Sequence, residues 1–207
     1  MATDYKSGLA WPSEKIGTQF RDLYGTFWSG GLLSHELKEA VRVRNARITD
    51  CGYWKNVRFS LAREAGFDEG KVELIDGNWA ESRLSDDWLA ALEFTDHFIL
   101  TPGPISKEMR NSLKTYFSEH EIAELCIGVA LFHGFSKMLI ALGREPEEMD
   151  TTIVPTPHLP ESSAVESVYV TNEFSHLFTY LPDMESRWAA LEQSLLSLNA
   201  LPEKVLS

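Results

Sequence analysis

Hydrophobic residues recur along most of this chain at intervals of three and four, the spacing that places them on one face of an α-helix. The first such stripe consists of Ile16, Phe20, Leu23, Tyr24 and Phe27. The same pattern predicts further helices over residues 34–48, 50–66, 68–76, 85–99, 106–116 and 118–143. Patterns typical of strands are nearly absent there, so the predicted fold class is all-α.

Polar residues at the ends of these stripes support the helix boundaries. Ser34 is positioned to cap the second helix, and Thr49-Asp50 offers a break and a new cap before the third. Ser118 and Glu121 form a capping box at the start of the last helix. The apolar surface of that helix is wide, which predicts a central and largely buried position.

Residues 151–207 differ in character from residues 1–150, so we predict a helical domain followed by an arm. Four prolines fall within fifteen residues, which predicts an extended arm or linker: Pro146, Pro155, Pro157 and Pro160. Segment 164–181 is compatible with strand or helix, and a clear amphipathic helix follows Pro182. A shift of 168 residues aligns this helix with the first one. The tail is therefore either a partial repeat of residues 16–39 that packs on a neighbouring subunit, or an unrelated amphipathic helix.

Composition excludes several classes of function. The 207-residue chain is 43% hydrophobic and has a formal net charge of −12, which argues against a nucleic-acid partner. Continuous apolar runs are short and the N-terminus lacks an apolar core, so we expect neither membrane partner nor signal peptide, and a cytoplasmic location. The strongest basic cluster is predicted to be a solvated helix face and comprises Lys38, Arg42, Arg44 and Arg47.

Glu39 and Cys51 are the first candidates for chemistry. Glu39 lies in the second helix, and Cys51 lies in the first turn of the third, where partial positive charge favours a thiolate. Each also has an ordinary interpretation, because single cysteines often fill cores and glutamates within helices are often solvated. Cys51 and Cys126 are the only cysteines, a number typical of a reducing compartment.

Segment 34–66 resembles the signature of the carboxymuconolactone decarboxylase and alkylhydroperoxidase D superfamily. In that signature a glutamate precedes a Cys-x-x-Cys-x-x-x-His motif by twelve residues, as Glu39 precedes Cys51. The capped helix that begins at Ser118 resembles the family's second landmark, and the resemblance extends over residues 16–145. It implies a multi-helix bundle of the alkylhydroperoxidase D-like type that assembles as a dimer, trimer or hexamer.

Two residues depart from this signature. Trp54 stands in place of the second cysteine, and Arg58 stands in place of the histidine. A dithiol peroxidase needs a resolving thiol, which Cys126 could supply only if the fold placed it beside Cys51. Arg58 cannot exchange protons near neutral pH, but it can bind a carboxylate with two hydrogen bonds.

Three functions remain open. The first is a cofactor-free, non-redox enzyme of decarboxylase or lyase type acting on a small carboxylate- or carbonyl-containing molecule. Glu39 would exchange protons there, Arg58 would anchor the substrate, and Tyr53 and Trp54 would line an apolar pocket. The second is an antioxidant peroxidase that uses Cys51 alone, and the third is a non-catalytic scaffold for binding or assembly.

His133 is a further candidate for substrate binding, although a hydrogen-bonded structural role also fits its place on the last helix. The six histidines show no spacing typical of a metal site, and no phosphate-binding or dinucleotide motif is present. We therefore expect no metal and no cofactor. The expected partners are a small-molecule substrate and further copies of the chain.

Overall fold

A computed structural model describes residues 14–158. The predicted C-terminal helix, segment 164–181 and the repeat of residues 16–39 lie outside the described residues. The helices are α1 (Glu14–Gly30), α2 (His35–Ile48), α3 (Gly52–Asn56), α4 (Ser60–Glu64), α5 (Glu69–Leu74), α6 (Asp86–Leu100), α7 (Lys107–Tyr116) and α8 (Glu119–Ala141). Two short strands, β1 (Val57–Phe59) and β2 (Thr152–Val154), and one 3-10 turn (Trp79–Glu81) complete the elements. The all-α prediction is confirmed.

Helix α2, rather than α8, occupies the centre of the bundle, which corrects the prediction made from the width of the apolar surface. Nine of the 14 residues of α2 are buried, against six of the 23 residues of α8. Helix α2 packs against both α6 and α8. A helix with many charged residues can be central because their partners come from neighbouring elements, which the local pattern does not reveal.

The basic cluster of α2 is not a solvated helix face. Lys38 is 2% exposed and Arg42 is 1% exposed. The Lys38 ammonium lies 2.7 Å from a Glu124 carboxylate oxygen, and Arg44 donates two hydrogen bonds of 2.6 Å to Asp96. Buried cations are stable in such positions only when paired and hydrogen-bonded. The sequence prediction failed because the acidic partners of Lys38, Arg44 and Arg47 are all distant in the chain. Only Arg42 has its partner on the same helix.

The single helix predicted over residues 50–66 is wrong, because β1 divides it into α3 and α4. Strand β1 pairs in parallel with β2, with Val57 opposite Thr152 and Phe59 opposite Val154. The Thr156 hydroxyl then accepts a hydrogen bond of 2.9 Å from the Leu61 backbone N–H. Strand β2 belongs to the predicted extended arm, about a hundred residues away, so local spacing could not predict the pairing.

Local signals at other boundaries are confirmed. The Ser34 hydroxyl accepts a hydrogen bond from the Leu37 N–H, and Ser118 and Glu121 form the predicted capping box. Asp50 adopts a φ of 56°, a left-handed conformation that aspartate tolerates better than most residues. The chain therefore turns sharply between α2 and α3, as Thr49-Asp50 predicted. The new cap predicted there is wrong, because the N-cap of α3 is Cys51, whose side chain makes no capping hydrogen bond.

Helix α8 is more continuously apolar than its short hydrophobic runs indicated. Its length and composition would allow it to cross a membrane, because an 18-residue window within it has a mean hydropathy of 1.4. One such helix is weak evidence for a membrane span, because core helices of water-soluble proteins have the same property. Gly128 on this helix lets α1 approach closely, since a Cβ there would lie 2.7 Å from the Phe27 ring.

Candidate functional site

Glu39 lies at the centre of the bundle in a buried ion pair. Its side chain is fully buried, and its two carboxylate oxygens each accept a hydrogen bond of 2.8 Å from Arg42. One of the same oxygens also accepts a hydrogen bond of 2.9 Å from the Phe59 backbone N–H. Because Glu39 and Arg42 are three residues apart on α2, the helix itself brings the two groups together.

Arg42 connects this pair to α3 and β1. Its guanidinium donates hydrogen bonds of 2.8 Å and 2.5 Å to the backbone carbonyls of Trp54 and Val57. Four of its five N–H groups therefore bind protein acceptors.

Aromatic side chains surround the pair. The guanidinium carbon of Arg42 lies 5.4 Å from the Trp54 ring centre and 5.2 Å from that of Phe59. Burial would lower the pKa of Arg42, but the adjacent Glu39 charge, with smaller contributions from Tyr24 and Tyr53, raises that pKa overall. Burial also raises the pKa of the Tyr24 hydroxyl above its ordinary value. Arg42 thus remains charged inside a largely apolar shell.

Tyr53 and Trp54 form the outer wall of this site. Both are half-buried, lie on the five-residue helix α3 and pack edge to face with ring centres 4.8 Å apart. The Trp54 Nε1 atom is buried, and no hydrogen-bond acceptor for it occurs in the part of the chain that the structure describes. The Trp54 N–H group is therefore available to a ligand oxygen at this site.

Cys51 caps the N-terminus of α3, but its surroundings do not favour a thiolate. The residue is fully buried. Burial raises the pKa of its thiol to about 11; a backbone hydrogen bond from Trp54 opposes the rise, and a hydrogen bond with Glu145 adds to it. The Glu145 carboxylate also accepts a hydrogen bond of 2.6 Å from the Gly52 N–H. The thiol is therefore protonated at neutral pH, contrary to the activation predicted from its position at a helix N-terminus.

Arg58 was predicted to share a pocket with Glu39, and this prediction is wrong. Its side chain leaves β1 in another direction, donating hydrogen bonds of 3.1 Å and 3.0 Å to the Glu69 carboxylate. Its remaining contacts are with the backbone carbonyls of Lys55 and Val57. Successive residues of a strand point to opposite sides, and the neighbouring Phe59 takes the side that faces Arg42.

The remaining candidates, Cys126 and His133, make no hydrogen bond to Glu39 or Arg42 among the described residues. Cys126 is half-buried, and like Cys51 it is a free thiol. The His133 ring lies 3.3 Å from the side-chain oxygen of buried Asn45, which in turn donates a hydrogen bond of 2.9 Å to Ser136. Burial and the positive charge of Lys137 lower the pKa of His133. These contacts match the structural role that the sequence analysis left open for this histidine.

Sequence reasoning missed Arg42, Tyr24 and Glu145 as parts of the site. The spacing of three residues between Glu39 and Arg42 was a usable signal for the first. No local signal pointed to Tyr24 or Glu145, because they reach the site from α1 and from the segment after α8. Among the described residues, no group of three or more His, Cys, Asp or Glu side chains could hold a metal ion.

Comparison with known proteins identifies the fold. No family model matches the chain. The uncharacterized protein YdfG of Bacillus subtilis is 21% identical over 113 residues, which is 54% of this chain and 76% of that protein.

Three crystal structures resemble the described bundle. An uncharacterized peroxidase-related protein from Silicibacter sp. has a TM-score of 0.54 at 18% identity, covering 63% of this chain and 69% of its own. A protein of unknown function from Agrobacterium tumefaciens, linked to antioxidant defence and AhpD, has a TM-score of 0.53 at 19% identity, covering 69% and 97%. A peroxidase-related protein with an alkylhydroperoxidase AhpD core, from Ralstonia eutropha, has a TM-score of 0.55 at 14% identity, covering 64% and 70%. The chain therefore has the alkylhydroperoxidase D-like fold that its sequence resemblance implied.

Proposed function

We propose that this protein is a cofactor-free, non-redox enzyme of decarboxylase or lyase type that acts on a small carboxylate- or carbonyl-containing molecule. The observation that carries the proposal is the buried Trp54 N–H group, which has no acceptor among the described residues and lies on α3 beside the buried Glu39–Arg42 pair. Buried donors are normally satisfied, and one left without an acceptor costs about 1–3 kcal/mol. A substrate oxygen that accepted a hydrogen bond from Trp54 would relieve that cost.

The roles follow from the chemistry of these groups. The substrate carbonyl oxygen accepts a hydrogen bond from Trp54 Nε1 and lies beside the Arg42 charge. Loss of CO₂ breaks a carbon–carbon bond, and the electron pair left on carbon is delocalised onto that carbonyl oxygen as an enolate. We assign Glu39 to carry the proton that this carbon then receives: its carboxylate takes up a proton from solvent when α3 opens and delivers it to the carbon. In this proposal Arg42 takes the anchoring role that the sequence analysis gave to Arg58.

Entry to the site is assigned to α3. Glu39 is fully buried, whereas Tyr53 and Trp54 are half-buried on a five-residue helix without a side-chain cap. Displacement of so short an element would break the Arg42 hydrogen bond to the Trp54 carbonyl and open a path to the pair. Lid motions of this kind accompany substrate entry in many enzymes.

The environment of Cys51 weighs against the peroxidase alternative. A peroxidatic cysteine reacts as the thiolate and needs access to peroxide. Here the thiol is fully buried, has a raised pKa and lies against the Glu145 carboxylate.

A panel of variants tests the proposal by release of CO₂ from small 3-oxo acids and unsaturated lactone carboxylates. Glu39→Gln removes the proton carrier and is expected to lower turnover at least about 100-fold. Trp54→Phe keeps the ring but removes the N–H, and is expected to cost about ten-fold. Cys51→Ser is the matched control and should retain turnover, with folding of every variant checked by circular dichroism.

Consumption of hydrogen peroxide in the presence of dithiothreitol provides the opposing test. The wild-type protein should consume peroxide no faster than Cys51→Ser, and Cys126→Ser should behave in the same way. Peroxide consumption that disappears in Cys51→Ser alone contradicts the proposal. Equal CO₂ release by wild type and folded Glu39→Gln contradicts it as well.

A further inference from the structure

We propose that a second site, a cleft beside β1, binds a small oxyanion, either a phosphate or a carboxylate, on Arg47 and Arg58. The cleft has a volume of about 620 Å³ and is formed by the end of α2, by α3 with β1, and by α5. It lies on the side of β1 to which Arg58 points, and neither Glu39 nor Arg42 lines it.

The charges in the cleft are arranged by depth. Its lining includes three cations, Arg47, Lys55 and Arg58, and three carboxylates, Glu69, Glu73 and Asp76. The two arginines are the more buried groups, with side chains 22% and 3% exposed, whereas Asp76 and Glu69 are 70% and 48% exposed. A positive floor beneath an acidic and exposed rim can bind an anion locally, even though the whole chain carries a charge of −12.

Arg47 has a hydrogen-bonding group without an acceptor at this floor. Its Nη1 atom is buried and has no hydrogen-bond partner among the described residues. Asp76 approaches that nitrogen to 3.3 Å, which is an ion pair without good hydrogen-bond geometry. Burial lowers the pKa of Arg47, Asp76 opposes this effect, and the positive charges of Arg58 and Arg44 lower the pKa further. An anion on Arg47 would offset both the burial and the repulsion.

Arg58 can exchange its present carboxylate partner for a ligand at low cost. Its Nε and Nη2 atoms bind Glu69, which is about half exposed and also lies 3.3 Å from Arg63. Glu69 would therefore keep one cationic partner if a ligand replaced it on Arg58. Glu69 is the exposed member of this pair and can move into water, and an anionic ligand would take over its charge beside the buried Arg58 guanidinium. The freed edge of Arg58 would present two parallel N–H groups, the geometry that binds carboxylates and phosphates.

Calorimetric titration of the full-length protein tests this site, with inorganic phosphate and succinate as probes and chloride at matched ionic strength as the control. We expect saturable binding of at least one probe. Arg47→Gln should weaken it about ten-fold, because a charged hydrogen bond is lost. Asp76→Asn should tighten it about three-fold, because an exposed competing carboxylate is removed without disturbing the core.

The outcomes separate this site from the one at Glu39. Folded Glu39→Gln should bind the probes as wild type does, so failure of the proposed enzyme function leaves this test intact. Binding of one probe alone supports the proposal and identifies the oxyanion. Absence of saturable binding overturns it, as does binding that Asp76→Asn fails to tighten. The latter test holds even if Arg47→Gln does not fold.

Discussion

The buried pair of Glu39 and Arg42 makes a quantitative prediction about stability. Glu39→Gln keeps the size and shape of the side chain but removes its charge. The Arg42 guanidinium then remains buried, 1% exposed, with no carboxylate to balance it. The amide of the new side chain must also direct its N–H groups towards either the guanidinium or the Phe59 N–H, both of which are donors.

The expected loss follows from the contacts. Glu39 accepts three hydrogen bonds of 2.8, 2.8 and 2.9 Å, two of them from a charged group. Removing one partner of a buried ion pair costs about 3–5 kcal/mol, because the other charge is left uncompensated. We therefore expect Glu39→Gln and Arg42→Met each to lower the free energy of unfolding by about 4 kcal/mol.

Urea unfolding followed by circular dichroism measures these changes. The double variant Glu39→Gln/Arg42→Met no longer contains an unpaired charge, so its loss should be at least about 2 kcal/mol smaller than the sum of the single losses. Lys114→Met is the matched control, because Lys114 and Glu119 form an exposed pair at 4.0 Å. This control should leave the unfolding midpoint unchanged.

One result would refute the reasoning. If Glu39→Gln lowered the free energy of unfolding by less than about 1 kcal/mol, the guanidinium would have to reach water in the folded protein. The central position of the pair would then be wrong. Strict additivity of the two single variants would likewise show that the side chains do not interact.

Three further predictions concern other parts of the bundle. Gly31→Ala should lower the free energy of unfolding by about 3 kcal/mol, because a Cβ there would overlap the ion pair of Lys38 and Glu124. Gly134→Ala, with open space around it, should raise the free energy of unfolding by about 0.5–1 kcal/mol. A raised urea midpoint for Gly31→Ala would contradict this prediction. Iodoacetamide at pH 8 should label Cys126 before Cys51, because Cys51 is fully buried and the pKa of its thiol is raised to about 11. Peptide mass spectrometry checks the order of labelling, and the reverse order would refute the burial of the Cys51 thiol. Because the pKa of His133 is lowered from 6.5, the unfolded chain binds its proton at a higher pH than the folded chain, so stability should fall as the pH drops below about 6.5. His133→Gln should make this fall shallower, and an unchanged pH profile would refute the assignment.

The sequence predicted which helix carries Glu39, but it did not predict which residue pairs with Glu39. Glu39 lies at the centre of the bundle, on the helix predicted for it. Arg58 was the expected anchor, yet it pairs with Glu69, and Arg42 takes its place beside Glu39. The direction of a side chain on β1 depends on strand pairing, and that pairing involves residues 152–154. No spacing within residues 50–66 contains this information.

The thiol illustrates a second limit. A helix N-terminus lowers the pKa of a cysteine, and the sequence correctly placed Cys51 there. Burial and the Glu145 carboxylate act in the opposite direction and have the larger effect. Both depend on chain segments that are distant in sequence, so the sign of the pKa shift was decided by packing.

The sequence by itself determined where most helices begin and end, because caps such as Ser34 and Ser118 act on N–H groups only three residues away. The resemblance of segment 34–66 to the alkylhydroperoxidase D signature also implied the fold, which the comparison with solved structures confirms. Tertiary structure alone decided that α2 is central, that β1 interrupts a helix, and which charges pair in the core. These features depend on contacts between distant segments, whose free energies outweigh the local preferences of any one of them.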